Sequence, residues 1–443
     1  MRPRPERHLD LLPIRQRVPQ RGFTVIELTV SLFVTVIVIL GALMLFDFNS
    51  KLAKVQTQIA DMHQELRVGQ YELVRMTRMA GRGGLPAFTT GATPAWGALS
   101  VRNNAGTNSV SSDVAIGYPG TPQAVIGTDI LTVRGVLSTP VFLINTAAPG
   151  VYVHLTAGGN ANQPPDQAAT GTIDVCDSSP AGFPQPLDAL AAARANGVSE
   201  ALILVSATAQ SVYGVVELDP ANTTAPAPFP GGPATCKASN FGGMTVAFHV
   251  NTTANSLAFQ KLSSAAGNGL PLQLTSVGAI GIVEEYRYYV RQDFLTPGDQ
   301  TTEPTPHLSR ARMFPGTESP WNADASQLTA DVADNVLDLQ AALGIDVNQS
   351  GTIEEDSPPS TTDEWLYNAV GDKPTLNNWS GKPMFYARIS LLVRTQRRDP
   401  QYQAPVLNQI EDHVYLPTDP INTRENRMYR RRLLQTVAGL RNL

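Results

Sequence analysis

An acidic turn near the end of the chain has the residue types and spacing of a calcium loop. Oxygen-bearing side chains occupy its first, third and fifth positions, at Asp346, Asn348 and Ser350. A glycine follows at the sixth position, and Thr352 offers a backbone carbonyl at the seventh. Calcium takes oxygen ligands, and this spacing allows a tight turn to point alternate oxygens inward.

The twelfth position of this loop departs from the calcium pattern, because Ser357 stands where a bidentate glutamate is usual. Glu354, Glu355 or Asp356 would have to supply the missing oxygens. An ion-free turn explains the same composition, since Asp, Asn and Gly favour turns by themselves. The candidate calcium ligands are therefore Asp346, Asn348, Ser350, Thr352 and Asp356. No other cofactor is predicted.

The only two cysteines, Cys176 and Cys236, are 60 positions apart. In an exported domain they would meet an oxidising compartment, where disulfides form. Closing a loop of that size stabilises a fold by roughly 4 kcal/mol in the chain-entropy model. A Cys176–Cys236 disulfide is the prediction, and two independent buried thiols are the alternative.

Catalytic motifs are absent from the sequence. The six histidines are scattered outside any zinc-protease pattern, and there is no nucleophile elbow, phosphate-binding loop or dinucleotide fingerprint. The sequence therefore predicts a protein that is not an enzyme. A formal net charge of −5 does not favour a dedicated nucleic-acid binder, so no nucleic-acid partner is expected.

The strongest signal is an apolar run from Phe23 to Phe46, in which Glu27 is the only charged residue. As a helix it would be about 36 Å long, enough to cross a bilayer. A carboxylate in such a segment costs roughly 2.5–3.5 kcal/mol on insertion scales, so we expect it to have a function. A signal-anchor with an incidental glutamate near the interface is the alternative.

The charges before this run set its orientation. Residues 1–22 carry six arginines against Glu6 and Asp10, so the positive-inside rule keeps them cytoplasmic and exports the residues after the run. A secretory signal peptide would be cleaved at small residues after the apolar stretch, and residues 43–47 offer none.

Gly22, Phe23 and Glu27 together match the cleavage signal of type IV prepilins, and the chain resembles that family at this end. The resemblance implies that a prepilin peptidase cuts between Gly22 and Phe23 and that the new amino terminus at Phe23 is methylated. It also implies that Glu27 pairs with the amino terminus of a neighbouring subunit during assembly. Pairing offsets the cost that each charge has alone in a low-dielectric setting.

The other end of the chain is similar to the close of PilW-type minor pilins, where a strand with an Arg-Arg pair leads to a terminal Leu-Arg-Asn. Here that segment is Tyr429 to Leu443. The resemblance implies a minor pilin that primes pilus assembly and sits at the tip. Its partners would be other minor and major pilins, the peptidase and the inner membrane. It would be a single-pass inner-membrane protein with an exported carboxyl-terminal domain, and then a pilus-tip protein at the cell surface.

Three other functions fit the same anchor. A J-type pseudopilin of a type II secretion system shares the amino-terminal signal. A pilus-tip adhesin or DNA-binding module would use the exported domain directly, and a membrane-anchored enzyme would need a catalytic site that no motif shows.

Hydrophobic periodicity indicates how these sites are positioned. An apolar stripe with spacings of three and four runs from Leu52 to Ala80, and no proline lies between Pro19 and Pro86, so one helix is predicted from about residue 24 to 80. The predicted parts are a cytoplasmic leader (1–22), a transmembrane segment (23–46), its amphipathic continuation (47–80) and an exported globular domain (81–443).

The exported domain shows recurrent strand signals. They cover 129–134, 151–155, 201–205, 212–218, 244–250, 285–291 and 387–394. Two further helices are predicted, over 187–195 and over 328–343, the latter from apolar spacings of 4, 4, 3 and 4. The predicted fold class is α+β and pilin-like, with a long spine helix packed on a large antiparallel β-rich domain.

Overall fold

The computed structural model describes most of the helix and the sheets but not every loop. The described residues are 22, 24–85, 97–105, 124–138, 141–143, 151–157, 170–177, 201–206, 213–218, 242–249, 277–293, 305–313, 315, 329–354, 363–372 and 382–441. The chain divides into two units, residues 1–57 and 58–443. The predicted helix over 187–195 lies outside the described residues.

A single helix, α1, runs from Val25 to Met79. Its 55 residues contain no proline that would break it, and glycines with positive φ follow its end, at Gly81, Gly83 and Gly84. The prediction of one continuous helix is therefore confirmed. The helix is long and apolar enough to cross a membrane, and its most apolar window buries none of its surface within the protein.

The second part of α1 carries the predicted apolar stripe, and its buried residues follow the helical repeat. They are Met62, Leu66, Gly69, Leu73, Met76 and Thr77. The four large apolar side chains among them join one hydrophobic core with residues of both large sheets, such as Leu131, Tyr288, Leu339 and Leu391. The amphipathic continuation is thus the spine of the globular unit.

Gly69 lies where α1 packs directly against side chains of the sheets. A Cβ added there would meet Leu308 Cδ2 at 3.3 Å, Leu391 Cδ1 at 3.4 Å and Ala333 Cβ at 3.5 Å. A larger side chain has no space in this contact. We expect Gly69→Leu to lower the free energy of unfolding of the globular unit by about 1–3 kcal/mol, as overpacked cores do.

Chemical denaturation of the full chain in detergent measures that change. Gly41→Leu is the matched control, because nothing lies within 4 Å of the corresponding Cβ on the same helix. Equal stability of the two variants would show that Gly69 does not set the helix-to-sheet distance.

Seventeen strands make up the described β-structure. They are β1 (Leu99–Arg102), β2 (Ile130–Gly135), β3 (Phe142–Leu143), β4 (Val151–Ala157), β5 (Thr170–Asp177), β6 (Ala201–Ser206), β7 (Tyr213–Leu218), β8 (Gly242–His249), β9 (Val277–Asp293), β10 (Thr305–Met313), β11 (Thr329–Asp334), β12 (Val336–Ile345), β13 (Trp365–Leu366), β14 (Met384–Arg394), β15 (Gln409–Ile410), β16 (His413–Val414) and β17 (Arg431–Gly439). All seven predicted strand regions are confirmed, and every paired register in the described strands is antiparallel.

The larger sheet is organised around β9. The first part of this strand pairs with β6 and β3, and its second part pairs with β2 and β10. Beyond β6 the order continues through β7, β8, β5 and β4, while β1 lies beside β2 and β11 beside β10. One long strand therefore links the two halves of this sheet.

The second sheet has the order β13-β12-β14-β17 and contains a correction to the sequence prediction. The sequence predicts a helix over 328–343, but the described part of this segment, 329–343, forms β11 and most of β12, separated at Asn335, whose φ is +59°. Nearly every residue of β12 is buried, so both of its faces are covered and the alternation typical of a half-exposed strand is missing. The helix prediction over 328–343 is wrong for this reason.

A polar contact fixes α1 to the larger sheet. Glu72 Oε1 accepts hydrogen bonds from Tyr288 Oη at 3.0 Å and from Arg310 Nη1 at 2.9 Å. Its other oxygen accepts one from Arg75 Nη2 at 2.8 Å. Burial raises the pKa of Glu72, but the hydrogen bonds from Arg75 and Tyr288 and the charges of both arginines outweigh it, so the net pKa is lowered. The carboxylate thus stays ionised where the helix enters the core.

Candidate functional site

The predicted cleavage position lies in open surroundings at the start of the described chain. Gly22 is exposed, and a Cβ added to it would have no atom within 4 Å. Phe23, the predicted new amino terminus, lies outside the described residues. Within the part of the chain that the structure describes, a side chain at position 22 would therefore meet no steric obstacle.

Glu27 forms a capping box with Thr24 at the first turn of α1. Its Oε2 accepts hydrogen bonds from Thr24 N at 2.9 Å and from Thr24 Oγ1 at 3.1 Å. In return Thr24 Oγ1 accepts one from Glu27 N at 3.3 Å. This reciprocal pattern satisfies amide groups that a helix start otherwise leaves unpaired.

The role of Thr24 was missed from the sequence, although the spacing Thr-x-x-Glu before an apolar run is the signature of a capping box. Both residues are exposed. Thr24 and Glu27 also lie after the predicted cleavage point, so the cap would persist in a processed chain. The carboxylate therefore has a local structural role besides the one that the sequence resemblance implies.

The helix surface after this cap is apolar and uncovered. Large side chains from Val25 to Phe48 are between 47% and 81% exposed, including Phe33 at 67% and Phe46 at 74%. Such a surface needs either lipid or other apolar helices around it. Chemically the arrangement can do two things: insert into a bilayer, and present one carboxylate at the head of an apolar helix.

The turn predicted to bind calcium is closed by its own hydrogen bonds. Asp346 accepts hydrogen bonds from Ser350 N at 3.0 Å and from Gly351 N at 2.8 Å, one on each carboxylate oxygen. Asn348 Oδ1 accepts a second bond from Ser350 N at 2.7 Å, and Ser350 Oγ contacts Thr352. The turn follows β12 and not a helix.

Glu364 also accepts hydrogen bonds from backbone amides of this turn. Its Oε1 accepts hydrogen bonds from Val347 N and Asn348 N at 3.0 and 3.1 Å, and its Oε2 accepts one from Glu354 N at 2.9 Å. Asp356 lies outside the described residues. No group of three or more His, Cys, Asp or Glu in the described part of the chain is arranged to hold a metal. Asp346, Asn348 and Glu364 accept backbone amides in this turn, and calcium binding there stays a prediction.

The predicted disulfide gains no support. Cys176 lies in β5, where the residues opposite it on the neighbouring strands are Tyr152 and Gly243. Cys236 lies outside the described residues. The Cys176–Cys236 disulfide therefore stays a prediction.

A buried acidic cluster, which the sequence did not reveal, lies where the β15–β16 hairpin meets both sheets. Asp338 is hydrogen-bonded to Tyr415 and lies 3.2 Å from His413 Nδ1. Asp412 Oδ2 accepts hydrogen bonds from Asn103 Nδ2 at 2.5 Å and from Asn104 Nδ2 at 3.2 Å. Asp129 is completely buried, and its two oxygens accept backbone amides of Asn104 and Ala341 at 2.9 and 2.8 Å.

Asp412 makes this cluster sensitive to pH. Burial, with the nearby charge of Asp372, raises its pKa from 3.8 to about 6, against the lowering effect of Asn103. A carboxyl whose folded pKa is raised contributes stability that is present below its unfolded pKa and is lost as the pH rises through the folded value.

We therefore expect the stability difference between the parent chain and Asp412→Asn to shift by up to about 3 kcal/mol between pH 4 and pH 7. Raising the pH should destabilise the parent chain relative to Asp412→Asn. The buried carboxyl of the parent loses its proton over this range, whereas the asparagine does not titrate. Urea unfolding at several pH values measures this. A difference that is independent of pH would contradict the assignment.

Comparisons of the chain with models of known families, with curated proteins and with solved structures give no match.

Proposed function

We propose that the protein is a non-catalytic, membrane-anchored minor pilin that primes pilus assembly and lies at the pilus tip. In this proposal it is cleaved between Gly22 and Phe23, methylated at Phe23, and enters the fibre through the apolar part of α1. Its globular unit then remains outside the membrane.

One observation carries the proposal. A single helix is uncovered and apolar over its first part, with Glu27 as the only charge from Val25 to Phe46, and becomes the buried spine of a β-rich unit over its second part. A simple signal-anchor needs only the first part. A subunit that packs beside others through a helix needs both, because the globular unit must be fixed to the helix that assembles.

The open surroundings of Gly22 support the cleavage step. The peptide bond after it would be accessible to a protease, and nothing in the fold requires the absence of a side chain there. The size of the domain supports the tip position. A globular unit of this size would clash with neighbouring subunits along a regular shaft. A subunit at the pilus tip has no neighbour beyond it.

Co-purification from the native envelope tests the proposal. After mild cross-linking, the captured chain should carry other proteins whose precursors have a glycine directly before an apolar run that starts with an aromatic residue and has a glutamate at its fifth position. Capture with components of a secretion apparatus would instead favour a pseudopilin of the J type. Recovery of the chain without such partners would contradict both assignments.

A further inference from the structure

An arginine-rich surface lies at the junction of β14 and β17. Residues 394–399 and 424–432 contain eight arginines and two carboxylates, although the chain as a whole is acidic. The backbone brings the two segments together, since Arg394 pairs with Arg431 in the sheet and Thr395 N donates to Arg430 O at 2.8 Å. We call seven of these residues the basic patch. Arg397, Arg398 and Arg424 are exposed, Arg427, Arg430 and Arg431 are partly exposed, and Arg394 is buried beneath them. The eighth, Arg432, contacts His63 on α1 instead.

Tyrosine rings hold the arginines of the basic patch in place. Arg394 and Arg398 lie over the ring of Tyr429, at 4.2 and 5.7 Å from its centroid, and Arg430 lies 4.3 Å from that of Tyr402. Such cation–π contacts fix a guanidinium without neutralising it. The patch is therefore ordered and remains positively charged.

The two segments carry more arginines than carboxylates. Asp399 pairs with Arg430 at 2.9 Å, and Glu425 reaches Arg398 at 3.8 Å. Burial, together with the charges of Arg427 and Arg394, lowers the pKa of Arg431 to about 10. Mutual repulsion of this kind is relieved when an anion binds, and guanidinium groups match the geometry of phosphate oxygens.

Exposed apolar side chains border the basic patch. Leu416 is 57% exposed and Val406 is 43% exposed. Asn422 joins their loops, donating to Leu407 O at 2.8 Å and to Leu416 O at 3.0 Å, and the neighbouring Ile421 carbonyl accepts a hydrogen bond from Arg431. Exposed arginines beside exposed leucine and valine are typical of a surface that contacts a lipid interface.

We propose that the basic patch binds the headgroups of anionic phospholipids, as a second membrane contact besides α1. The choice of lipid over other polyanions rests on the membrane anchorage in the proposed function. A protein held at a bilayer by its own helix meets headgroups at high effective concentration, so a modest surface affinity suffices. Before assembly this contact would hold the globular unit at the membrane surface.

The inference is tested by measuring how the full chain, held in one membrane, binds to separate vesicles. The protein is embedded in nanodiscs of phosphatidylcholine and floated with vesicles of phosphatidylcholine alone or mixed with phosphatidylglycerol. The attractions of several arginines to an anionic surface add together. We expect at least about tenfold stronger binding to the anionic vesicles and its loss when the ionic strength rises from about 0.1 M to 1 M.

The exposed arginines of the patch provide the variant. Arg397, Arg398 and Arg424 are on the surface, so the triple change to glutamine should reduce binding to the level of neutral vesicles without disturbing the core. Changing Lys382 and Arg441 to glutamine is the control and should leave binding unchanged. Hydrogen exchange of the parent chain, slowed over 394–399 and 424–432 by anionic vesicles alone, is a second readout that needs no variant.

Unchanged binding by the triple variant, or hydrogen exchange that anionic vesicles do not slow, would overturn the inference. Tighter binding of a DNA duplex than of the vesicles would also overturn it and assign the patch to nucleic acid. Cleavage at Gly22 is read separately by mass, so failure of this inference is distinguishable from failure of the proposed function.

Discussion

Replacing Gly22 with leucine is expected to leave a full-length precursor in the membrane, with cleavage slowed by about 100-fold or more. A protease that binds the chain closely at this position has no space for a side chain, and about 2.7 kcal/mol of lost transition-state binding corresponds to 100-fold. The fold itself should not change, because a Cβ at position 22 contacts nothing. Immunoblotting and mass spectrometry distinguish precursor from a product shortened by 22 residues.

Gly41→Leu is the matched control for this experiment. It makes the same change on the same chain, and nothing lies within 4 Å of the new Cβ there either. We expect normal processing in that variant. Normal maturation of Gly22→Leu would remove the cleavage step from the account.

Removing the charge of Glu27 while keeping its hydrogen bonds is expected to block assembly. Glutamine can take the same position in a capping box, so Glu27→Gln preserves the contact with Thr24 but cannot pair with a neighbouring amino terminus. An unpaired amino terminus in a low-dielectric contact is strongly unfavourable. We expect the assembled fraction to fall at least about tenfold, since 1.4 kcal/mol suffices for that.

Thr24→Ala makes the opposite change. It removes the cap and costs about 0.5–2 kcal/mol of helix stability, but it leaves the carboxylate in place. The cap formed by Thr24 and Glu27 is present in the single chain, so its loss should affect the membrane-inserted and assembled forms alike. Quantifying the protein in sheared fibres against that in the membrane compares the two variants. If Thr24→Ala reduces assembly and Glu27→Gln does not, Glu27 acts through the helix cap and not through its charge.

The helix was predictable from the sequence because its signals are local. Apolar spacing, the absence of proline and the glycines after Met79 all act within a few turns and agree with each other. The same holds for strands such as β14, whose β-branched residues indicate extended structure. The capping box at Thr24 was also readable, since its spacing is fixed.

The prediction failed at β12 because tertiary contacts override local preference there. The segment Val336–Ile345 is rich in leucine and alanine, which favour helices. One face meets the core of α1, and the other carries Asp338 and Gln340 towards the β15–β16 hairpin. Burial on both faces, together with a bulge between Val336 and Asp338, hides the alternation by which a strand is recognised.

The acidic cluster and the basic patch were unpredictable for a different reason. The cluster joins residues as distant in sequence as Asn103 and Asp412, and the patch joins 394–399 to 424–432 across a strand pair. Only the topology of the second sheet and the hairpin brings these segments together. Composition gives their charges but not their neighbours.

The most direct test of the central claim is the mass of the mature amino terminus, measured on protein isolated from the native envelope. The account predicts a terminal peptide that begins at Phe23 and carries one additional methyl group. A chain that retains residues 1–22, or one that begins at any other residue, would contradict it.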